Sequence, residues 1–544
     1  MNLVKCIVEN QFFQFLFMGC CVMTKIKNPT LFPDENFSPK NEEKKPSPGG
    51  TSSNPKLKSV DRSQMIFRTI EIEKLIPQDH DARAIWEFVG GLDLKEYYKD
   101  IRSQAGEAGR SASDPRLMIS LWVYSYCKGI NSAREMARLC DFDPAFQWLT
   151  GMTLINHHSL SDFRADHYEA LENLLVEILA LLSAGGLITM ERVTQDGTKI
   201  KANASGKSFR REKTLAEHLK LAQEQVSAVN ELHETDEGNQ RQKKAAERSS
   251  RERKEKLEKA FAELEKLRKI KKNNKEKENA RVSMTDPESR VMKQGNGGFS
   301  PSYNVQISTD SANCFIVGVA VSQSGNDAQE LIPAIDRMEE IVGTKPQQMI
   351  VDSGYTTKPN ILEADARGID LIGSFRESVG TENLGWRGED ERFNGEAFSY
   401  HPEKDTYTCP VGEKMRLRRS GRGIGHTDHL YMTEKGTCQK CKFQKECCPQ
   451  NTLKGRSISR KEESPEMVAF RNKMETEEAK RIYKTRSQTA EFSNAWIKEK
   501  IGLRQFRLRG LPKVNMEAIW ACVTYNIQQW IRLIWRNRWA LNRV

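Results

Sequence analysis

The feature that most constrains the fold is a charged helical segment, residues 207–281, that interrupts a β-rich pattern. Two apolar seams run through it in steps of three and four residues, one from Leu215 to Val229 and one from Leu257 to Leu267. Such seams on either side of a polar stretch predict an antiparallel helical hairpin inserted into a domain. Two interpretations stay open for its charged surface: a solvated coiled coil that affects packing or dimerisation, or direct contact with DNA.

A β pattern stands on both sides of this insertion. Before it, residues 193–205 read VTQDGTKIKANAS, in which Asp196-Gly197 is a hairpin signal, so we predict a strand, an acid, a tight turn and a second strand. After it come four further predicted strands and two helices, with strands at 302–308, 314–321, 348–351 and 369–372 and helices at 328–342 and 360–366. The order predicts an α/β fold, a mixed sheet flanked by helices, with Asp196 and Asp352 at strand ends, where sites gather.

A third acid lies in residues 481–500, a helical stretch without glycine or proline. At about 100° per residue, the side chains of Tyr483, Arg486, Glu491, Asn494 and Lys498 share about 140° of arc. This face carries a carboxylate among cations and a phenol. Such a face is compatible with a solvated surface as well as with a functional site.

The ordered motifs resemble those of DDE-type transposases of bacterial insertion sequences. The motifs are TQDGTKIKANAS, DPESRVMKQGNGGFSPSYNVQIS, IVDSGYT, and Tyr-x2-Arg ahead of Glu-x6-Lys, with DPRLMISLWVYSYCKGINSAREMARLC in the amino-terminal region. The resemblance implies an RNase H-like fold of the retroviral integrase superfamily, with Asp196, Asp352 and Glu491 as the catalytic acids. One departure is that four residues separate Arg486 from Glu491 where the common pattern has three, which rotates Arg486 by about 100° on a regular helix.

The implied chemistry is phosphoryl transfer on DNA. Three carboxylates would bind two Mg²⁺ ions, or Mn²⁺, about 4 Å apart, to activate a water or a 3′-hydroxyl in an in-line displacement. Tyr483, Arg486 and Lys498 would hold phosphates, and Lys199 and Lys201 alternate where a backbone would pass. The implied function is binding of terminal inverted repeats of double-stranded DNA, cleavage at the ends and joining to target DNA, by a homodimer assembled on DNA. The alternatives are an RNase H-like nuclease that cannot join strands and an inactive, domesticated DNA-binding protein.

A cysteine cluster in a basic, glycine-containing segment needs a separate explanation. Cys409, Cys438 and Cys441, with Cys447 or Cys448, have a spacing compatible with a structural Zn²⁺ site, and His426 or His429 are substitutes for one thiol. The competing interpretation is a reduced, metal-free loop. The other cysteines are scattered and predicted to be reduced.

The charge and the remaining segments complete the expected organisation. A net charge of +11 favours a polyanionic partner, and the absence of a long uninterrupted apolar run predicts a soluble, intracellular protein. The resemblance implies the bacterial cytoplasm, in association with the nucleoid. Ser132–Leu139 and Ser159–Leu171 are predicted helices, either of a helix-turn-helix or of an ordinary bundle, with Arg164 on a polar face. The predicted domains are a disordered leader (1–62), a helical DNA-binding domain (63–185), a catalytic core in three parts (186–206, 285–380 and 461–544), the hairpin insertion (207–284) and a Cys-rich insertion resembling a zinc ribbon (381–460).

Overall fold

The structure is a computed structural model that describes residues 69–99, 111–235, 240–271, 273–375, 390–449 and 455–541, with 62, 63, 65, 67 and 101. The predicted leader, residues 1–62, lies outside the described residues apart from Arg62. From Thr69 onwards the chain forms one unit. Within the described residues, no helix has the length and apolar character that crossing a membrane requires.

The amino-terminal region is helical, as predicted. Its helices are α1 (Asp81–Gly90), α2 (Lys95–Lys99), α3 (Pro115–Cys127), α4 (Ala133–Phe142), α5 (Pro144–Thr150), α6 (His157–Asp166) and α7 (Tyr168–Ala184). Asp114 caps α3 by accepting a hydrogen bond from the Arg116 N–H, with Pro115 at the first helical position. The apolar faces of these helices pack into the same hydrophobic core as the sheet described next.

Two details of this region differ from the prediction. The predicted helix from Ser159 is two helices, α6 and α7, and α6 is capped by Asn156 rather than by Ser159. Arg164 is buried, because its guanidinium stacks on Trp122 and donates to the Asn131 carbonyl. The intervening helix α5 also separates α4 from α6, so these helices do not form a two-helix DNA-binding motif with a short turn.

A six-stranded mixed sheet lies at the centre of the molecule. Its strands are β1 (Arg192–Lys201), β4 (Arg290–Lys293), β5 (Phe299–Asp310), β6 (Ile316–Ser322), β7 (Gln348–Val351) and β8 (Asp370–Gly373). The order is β4-β5-β1-β7-β8, with β6 also paired to β5. β5 runs antiparallel to β1 and β6, whereas β1, β7 and β8 are parallel. This mixed arrangement, with α11 (Leu331–Val342) and α12 (Lys358–Ala366) in its connections, is consistent with the expected RNase H-like fold.

The carboxyl-terminal helices complete the core. They are α14 (Pro465–Glu475), α15 (Glu477–Lys484), a π-helical turn (Ser487–Glu491), α16 (Phe492–Glu499), α17 (Leu511–Trp530), a second π-helical turn (Ile531–Trp535) and α18 (Arg536–Leu541). Most of α17 is buried. Its Asn526 side chain exchanges two 2.8 Å hydrogen bonds with the backbone of Ile316 on β6. The amide thereby acts as a neighbouring strand would and satisfies buried backbone groups.

The helical hairpin is present and has its own small core. It consists of α8 (Glu212–Thr235) and α9 (Gln240–Ile270), with α10 (Asn274–Glu278) after it. The predicted seam residues Leu215, Ala222, Leu257 and Leu264 pack together, apart from the main core. The hairpin leaves and rejoins the chain through the short antiparallel pair β2 (Phe209–Arg210) and β3 (Val282–Ser283).

The Cys-rich insertion contains a sheet that the sequence did not reveal. Its antiparallel strands are β9 (Ser399–His401), β10 (Thr406–Thr408), β11 (Lys414–Gly423), β12 (His426–Met432) and β13 (Ser457–Glu463), with the short helix α13 (Gln444–Cys447) beside them. A largely aromatic core that includes Phe398, Tyr407 and Tyr431 supports it.

Candidate active site

Asp196 lies in the middle of a continuous strand, not at a turn. β1 pairs with β5 without interruption from Val193 to Lys201, and Asp196 is opposite Ile307. The predicted Asp-Gly hairpin is therefore wrong. Gly197 has a different reason to be glycine, because a Cβ there would stand 2.4 Å from Asp327 Oδ1 and 2.7 Å from Gln306 Nε2. A glycine inside a strand often marks such a close approach.

Asp352 lies beside Asp196 because of the strand register. β7 is parallel to β1, with Ile350 opposite Thr194, and pairing ends there. Asp352 directly follows β7, so the two acids each stand two residues beyond the last paired position of adjacent parallel strands. The two carboxylates are close enough for the negative charge of Asp352 to raise the pKa of Asp196.

The helical segment that follows α15 covers the same face of the sheet. Thr194 and Asp196 project from one face of β1, and the Thr194 hydroxyl is 2.8 Å from that of Thr489. Ser493 likewise contacts Thr309, with 3.0 Å between the hydroxyl oxygens. These hydroxyl contacts seat the π-helical turn and α16 directly over Asp196.

Two side chains of this segment contact Asp196. Asn494 Nδ2 donates to Asp196 Oδ2 at 2.9 Å, and Arg486 Nη1 lies 3.6 Å from Asp196 Oδ1. The π-helical turn explains how Arg486 reaches the acid despite the additional residue. Because a π turn closes i→i+5 bonds, it accommodates one residue more than an α turn. The expected rotation of Arg486 away from the site applies to a regular helix, which this segment is not.

Glu491, the third predicted acid, ends the π-helical turn and is exposed. It precedes Asn494 by three residues, so both lie on the helix face above Asp196. Within the described part of the chain, no three His, Cys, Asp or Glu side chains are arranged around one point as metal ligands. The structure thus brings Asp196 and Asp352 together and places Glu491 on the adjoining helix, without contact to them.

Burial and charge perturb the two titratable groups at the centre. Burial raises the pKa of Asp196 to about 6, and the Asp352 charge adds to this effect, whereas the Arg486 guanidinium opposes it. Burial lowers the pKa of Lys498, while the negative charge of Asp196 acts in the opposite direction. Perturbed groups of opposite sign in one cleft are typical of functional sites.

The other predicted DNA-binding residues lie around this centre. Tyr483 is half-buried against Ile350 and Ile372 and lines a cleft of about 520 Å³ with Lys480 and Lys484. Lys199 and Lys201 alternate with Ile200 on β1, so they project from the face opposite Asp196. Lys201 is exposed and Lys199 is half-buried.

The structure also reveals polar residues that the sequence analysis did not select. Asn304, Gln306 and Ser308 alternate along β5 and are buried. Ser308 donates to Gln195, Gln195 Nε2 donates to Gln306 Oε1, and Tyr355 donates to the same oxygen. The signal was present in SYNVQIS, where a predicted buried strand carries a polar residue at every second position. Asp327, which receives hydrogen bonds from this network, had no such signal.

The five clustered cysteines lie together in the Cys-rich insertion. Cys409, Cys438, Cys441, Cys447 and Cys448 line one cavity of about 30 Å³. Burial raises the pKa of Cys447 to about 12, and the neighbouring thiols contribute in the same direction. The Glu413 N–H donates to Cys409 Sγ at 3.3 Å. His426 and His429 instead contact Asp428 and Glu462.

The donor groups around Asp196 fit a hard divalent cation. Asp196 and Asp352 offer carboxylate oxygens, the ligands that Mg²⁺ prefers. Asn494 is about nine-tenths buried, and its Oδ1 has no hydrogen-bond partner among the described residues. An unsatisfied buried oxygen beside two carboxylates is a fitting place for a cation or a cation-bound water.

Two family models match separate parts of the chain. A family model described as "Transposase DDE domain" matches residues 408–531, which include Glu491 and Lys498. A second model, described as "Transposase domain (DUF772)", matches residues 70–166, the helical amino-terminal region. No curated protein matches the sequence. Both family matches support a DDE-type transposase of the insertion-sequence type.

Proposed function

We propose that this transposase binds the terminal inverted repeats of its element, cleaves DNA at the ends and joins them to target DNA in a divalent-metal-dependent reaction. The observation that carries the proposal is the pair Asp196 and Asp352 at the end of adjacent parallel strands, with cationic side chains beside it. DDE transposases act on DNA and generally use divalent metal ions.

Asp196, Asp352 and, from the covering helix, Glu491 are the residues proposed to hold Mg²⁺ or Mn²⁺. When bound, two such ions would lower the pKa of the attacking water or 3′-hydroxyl and stabilise the leaving oxygen. Glu491 is exposed and three residues from Asn494, so a modest adjustment of its side chain would bring its carboxylate towards Asp196.

The cationic residues are proposed to hold the DNA backbone. Arg486 Nη1 is buried 3.6 Å from Asp196 Oδ1 and has no hydrogen-bond partner among the described residues, so its guanidinium has donor capacity left that a phosphate oxygen at the site would use. Lys498 lies close enough to Asp196 for the negative charge of Asp196 to act on the pKa of Lys498. Tyr483, on the adjacent cleft, and Lys199 and Lys201, on the outgoing strand, would extend these contacts. Such contacts position the DNA without reading its sequence.

The test uses purified protein and labelled DNA from the flanks of its gene. Asp196→Asn, Asp352→Asn and Glu491→Gln are each expected to abolish Mg²⁺-dependent cleavage. Asp336→Asn is the matched control, since this acid is exposed and ion-paired with Arg367. Full cleavage by any of the first three variants would remove that residue from the proposed set. Joined products in a strand-transfer assay distinguish a transposase from a nuclease that only hydrolyses strands.

A dimer is also part of the proposal, because one transposition event acts on two element ends. Light scattering of the protein with and without end DNA measures this directly. A complex containing two protein chains and two ends is expected, and one chain per DNA at saturation would contradict it.

For the Cys-rich insertion we propose a structural Zn²⁺ held by Cys409, Cys438, Cys441 and Cys447. The support is that these thiols line one small cavity. Binding would require thiol rotations and deprotonation, since no ligand trio is preformed among the described residues. Metal analysis of the purified protein is expected to find one zinc per chain, lost in Cys441→Ser and kept in Cys314→Ser. Less than a tenth of an equivalent in the wild-type protein would reject the site.

A further inference from the structure

A fourth acid, Asp327, lies in the loop between β6 and α11 and is held by the buried polar network. Its Oδ1 accepts a hydrogen bond from Asn304 Nδ2 and another from Gln306 Nε2, both at 2.7 Å. Gln306 in turn accepts from Gln195 and from the buried Tyr355 hydroxyl through Oε1. All donors in this network therefore point towards Asp327, which fixes its carboxylate in one orientation.

Two glycines open the space between Asp327 and the first two acids. A Cβ on Gly197 would collide with Asp327 Oδ1, as described above. At Gly354, two residues after Asp352, the position of a Cβ would lie 3.0 Å from Asp352 Oδ1 and 3.8 Å from Asp327 Oδ2. Both carboxylates therefore border the same gap, which exists because residue 354 has no side chain.

Carboxylate oxygens of Asp327 and Asp352 line the gap, and no cationic side chain is paired with them among the described residues. Among the described residues, neither Asp327 nor Asp352 forms an ion pair with a lysine or arginine. Asn304 is fully buried, and its Oδ1 has no hydrogen-bond partner in the described part of the chain. That oxygen lies 3.0 Å from the Cβ position of Gly197, beside Asp327 Oδ1. Two half-buried like charges and a buried, unpaired acceptor beside one of them together favour a positive counter-charge.

We propose that Asp327 is a cation-binding carboxylate of this active site and shares one divalent metal ion with Asp352. The inference rests on the proposed metal-dependent function. Mg²⁺ usually takes one or two protein carboxylates and leaves its other positions to waters and substrate phosphates. Asp327 and Asp352 supply two carboxylates from elements anchored in the sheet, and the amides of Asn304 and Gln306 orient Asp327 from behind, as second-layer partners do in metal sites.

The test measures Mn²⁺ binding by the full-length protein from the loss of the free-ion EPR signal. Asp327→Asn keeps the shape of the side chain and an acceptor for both amides. It is expected to raise the Mn²⁺ dissociation constant at least about tenfold, as Asp352→Asn does, with an unchanged melting temperature. Asp336→Asn, on α11 and exposed, is the matched control and should bind Mn²⁺ like the wild type.

The outcomes separate this inference from the proposed function. Wild-type Mn²⁺ affinity in Asp327→Asn, with weakened binding in Asp352→Asn, would overturn the inference alone and leave Asp327 a structural residue. No Mn²⁺ binding by the wild type, or binding unaffected by Asp352→Asn, would overturn the metal-dependent function and the inference with it. If Asp327→Asn melts at a lower temperature, Asp327→Glu replaces it, since it keeps the charge but displaces the oxygens by one methylene, and the same loss of affinity is expected.

Discussion

At the scale of single residues, burial of the ionised Asp196 carboxylate lowers the stability of the fold, and other interactions must offset this. The carboxylate is largely buried and faces Asp352, while the Arg486 guanidinium compensates only partly at 3.6 Å. Ionised groups in such surroundings are costly to fold unless a counter-charge is added. Sites that bind metal commonly contain this kind of stored instability, because preorganised charges are useful only when the ligand arrives.

The first prediction concerns the pH dependence of stability without metal. The folded-state pKa of Asp196 is about 6, above the value of 3.8 for a free carboxyl. Its protonated form therefore stabilises the fold at low pH, and this contribution disappears as the pH rises through about 6. Asp196→Asn cannot ionise, so at pH 7.5 it is expected to be more stable than the wild type by up to about 3 kcal/mol.

Thermal melts in EDTA at several pH values between 4 and 8 measure this effect. The difference in melting temperature between Asp196→Asn and the wild type should shrink as the pH falls below 5. A variant that is less stable than the wild type at pH 7.5 would show that burial does not penalise the Asp196 charge.

The second prediction concerns Gly197. Alanine at this position would place Cβ against Asp327 Oδ1 and Gln306 Nε2, both closer than van der Waals contact allows. We expect Gly197→Ala to destabilise the fold by about 1–3 kcal/mol in denaturant titrations. Gly206→Ala is the control, because no atom lies within 4 Å of its Cβ position. Equal stability of the two variants would mean that Asp327 moves away without cost.

At the scale of elements, the π-helical turn keeps the residues before and after it in register over Asp196. Arg486 lies at its start and Glu491 at its end, and Asn494 follows in regular helix. π turns frequently occur at functional sites, where one inserted residue is tolerated without disturbing the flanking helix. The spacing that departs from the family pattern is therefore compensated locally.

The third prediction tests this compensation by deletion. Removing Gln488, which is exposed within the turn, should convert it to a regular α turn and leave both flanks over the sheet, so DNA cleavage should stay within about tenfold of wild type. Removing Ala495 from α16 rotates Lys498 by about 100° relative to Glu491 and should abolish cleavage. Loss of activity in both deletions, with intact circular dichroism spectra, would mean that the additional residue is itself required.

The elements also show which parts of the fold the sequence predicts. The hairpin seams have strong periodicity, the strand 348–351 is a short apolar run, and both agree with the structure because their burial follows local patterns. Asp196-Gly197 resembles a turn locally, yet β5 continues beside it, so tertiary pairing overrides the turn propensity. β11 was missed because most of its residues are exposed and half of them are basic. The role of Asp327 could not be predicted from the sequence, because it depends on contacts with partners that are distant in sequence.

At the scale of the whole molecule, the hairpin insertion joins the rest of the chain through a short two-stranded ladder. Arg210 and Val282 are paired across this ladder, β2–β3, and the hairpin core is separate from the main core. Among the described residues, the ion pair of Glu263 with Arg290 at 2.7 Å also connects the hairpin to β4. Because the two cores are separate, we expect the sheet to fold without the hairpin.

The fourth prediction is that residues 211–281 are replaceable by Asn-Gly. This dipeptide favours the tight turn that joins two paired antiparallel strands. The shortened protein is expected to fold and to retain Mg²⁺-dependent cleavage, with a small loss of stability from the unpaired Arg290, which Arg290→Gln should reverse. End-binding assays and light scattering distinguish the two open interpretations of the hairpin. Weakened end binding with retained dimerisation would assign it to DNA contact, and lost dimerisation would assign it to assembly.

During synthesis, β1 leaves the ribosome long before the elements that surround it in the sheet. Its partners β5 and β7 and its covering helix α16 all come much later in the chain. At about 5–20 residues per second, Glu491 is added roughly 15 to 60 s after Asp196. A nascent or prematurely terminated chain therefore contains Asp196 long before it contains Glu491, so under the proposed function such a chain would be unable to cleave DNA.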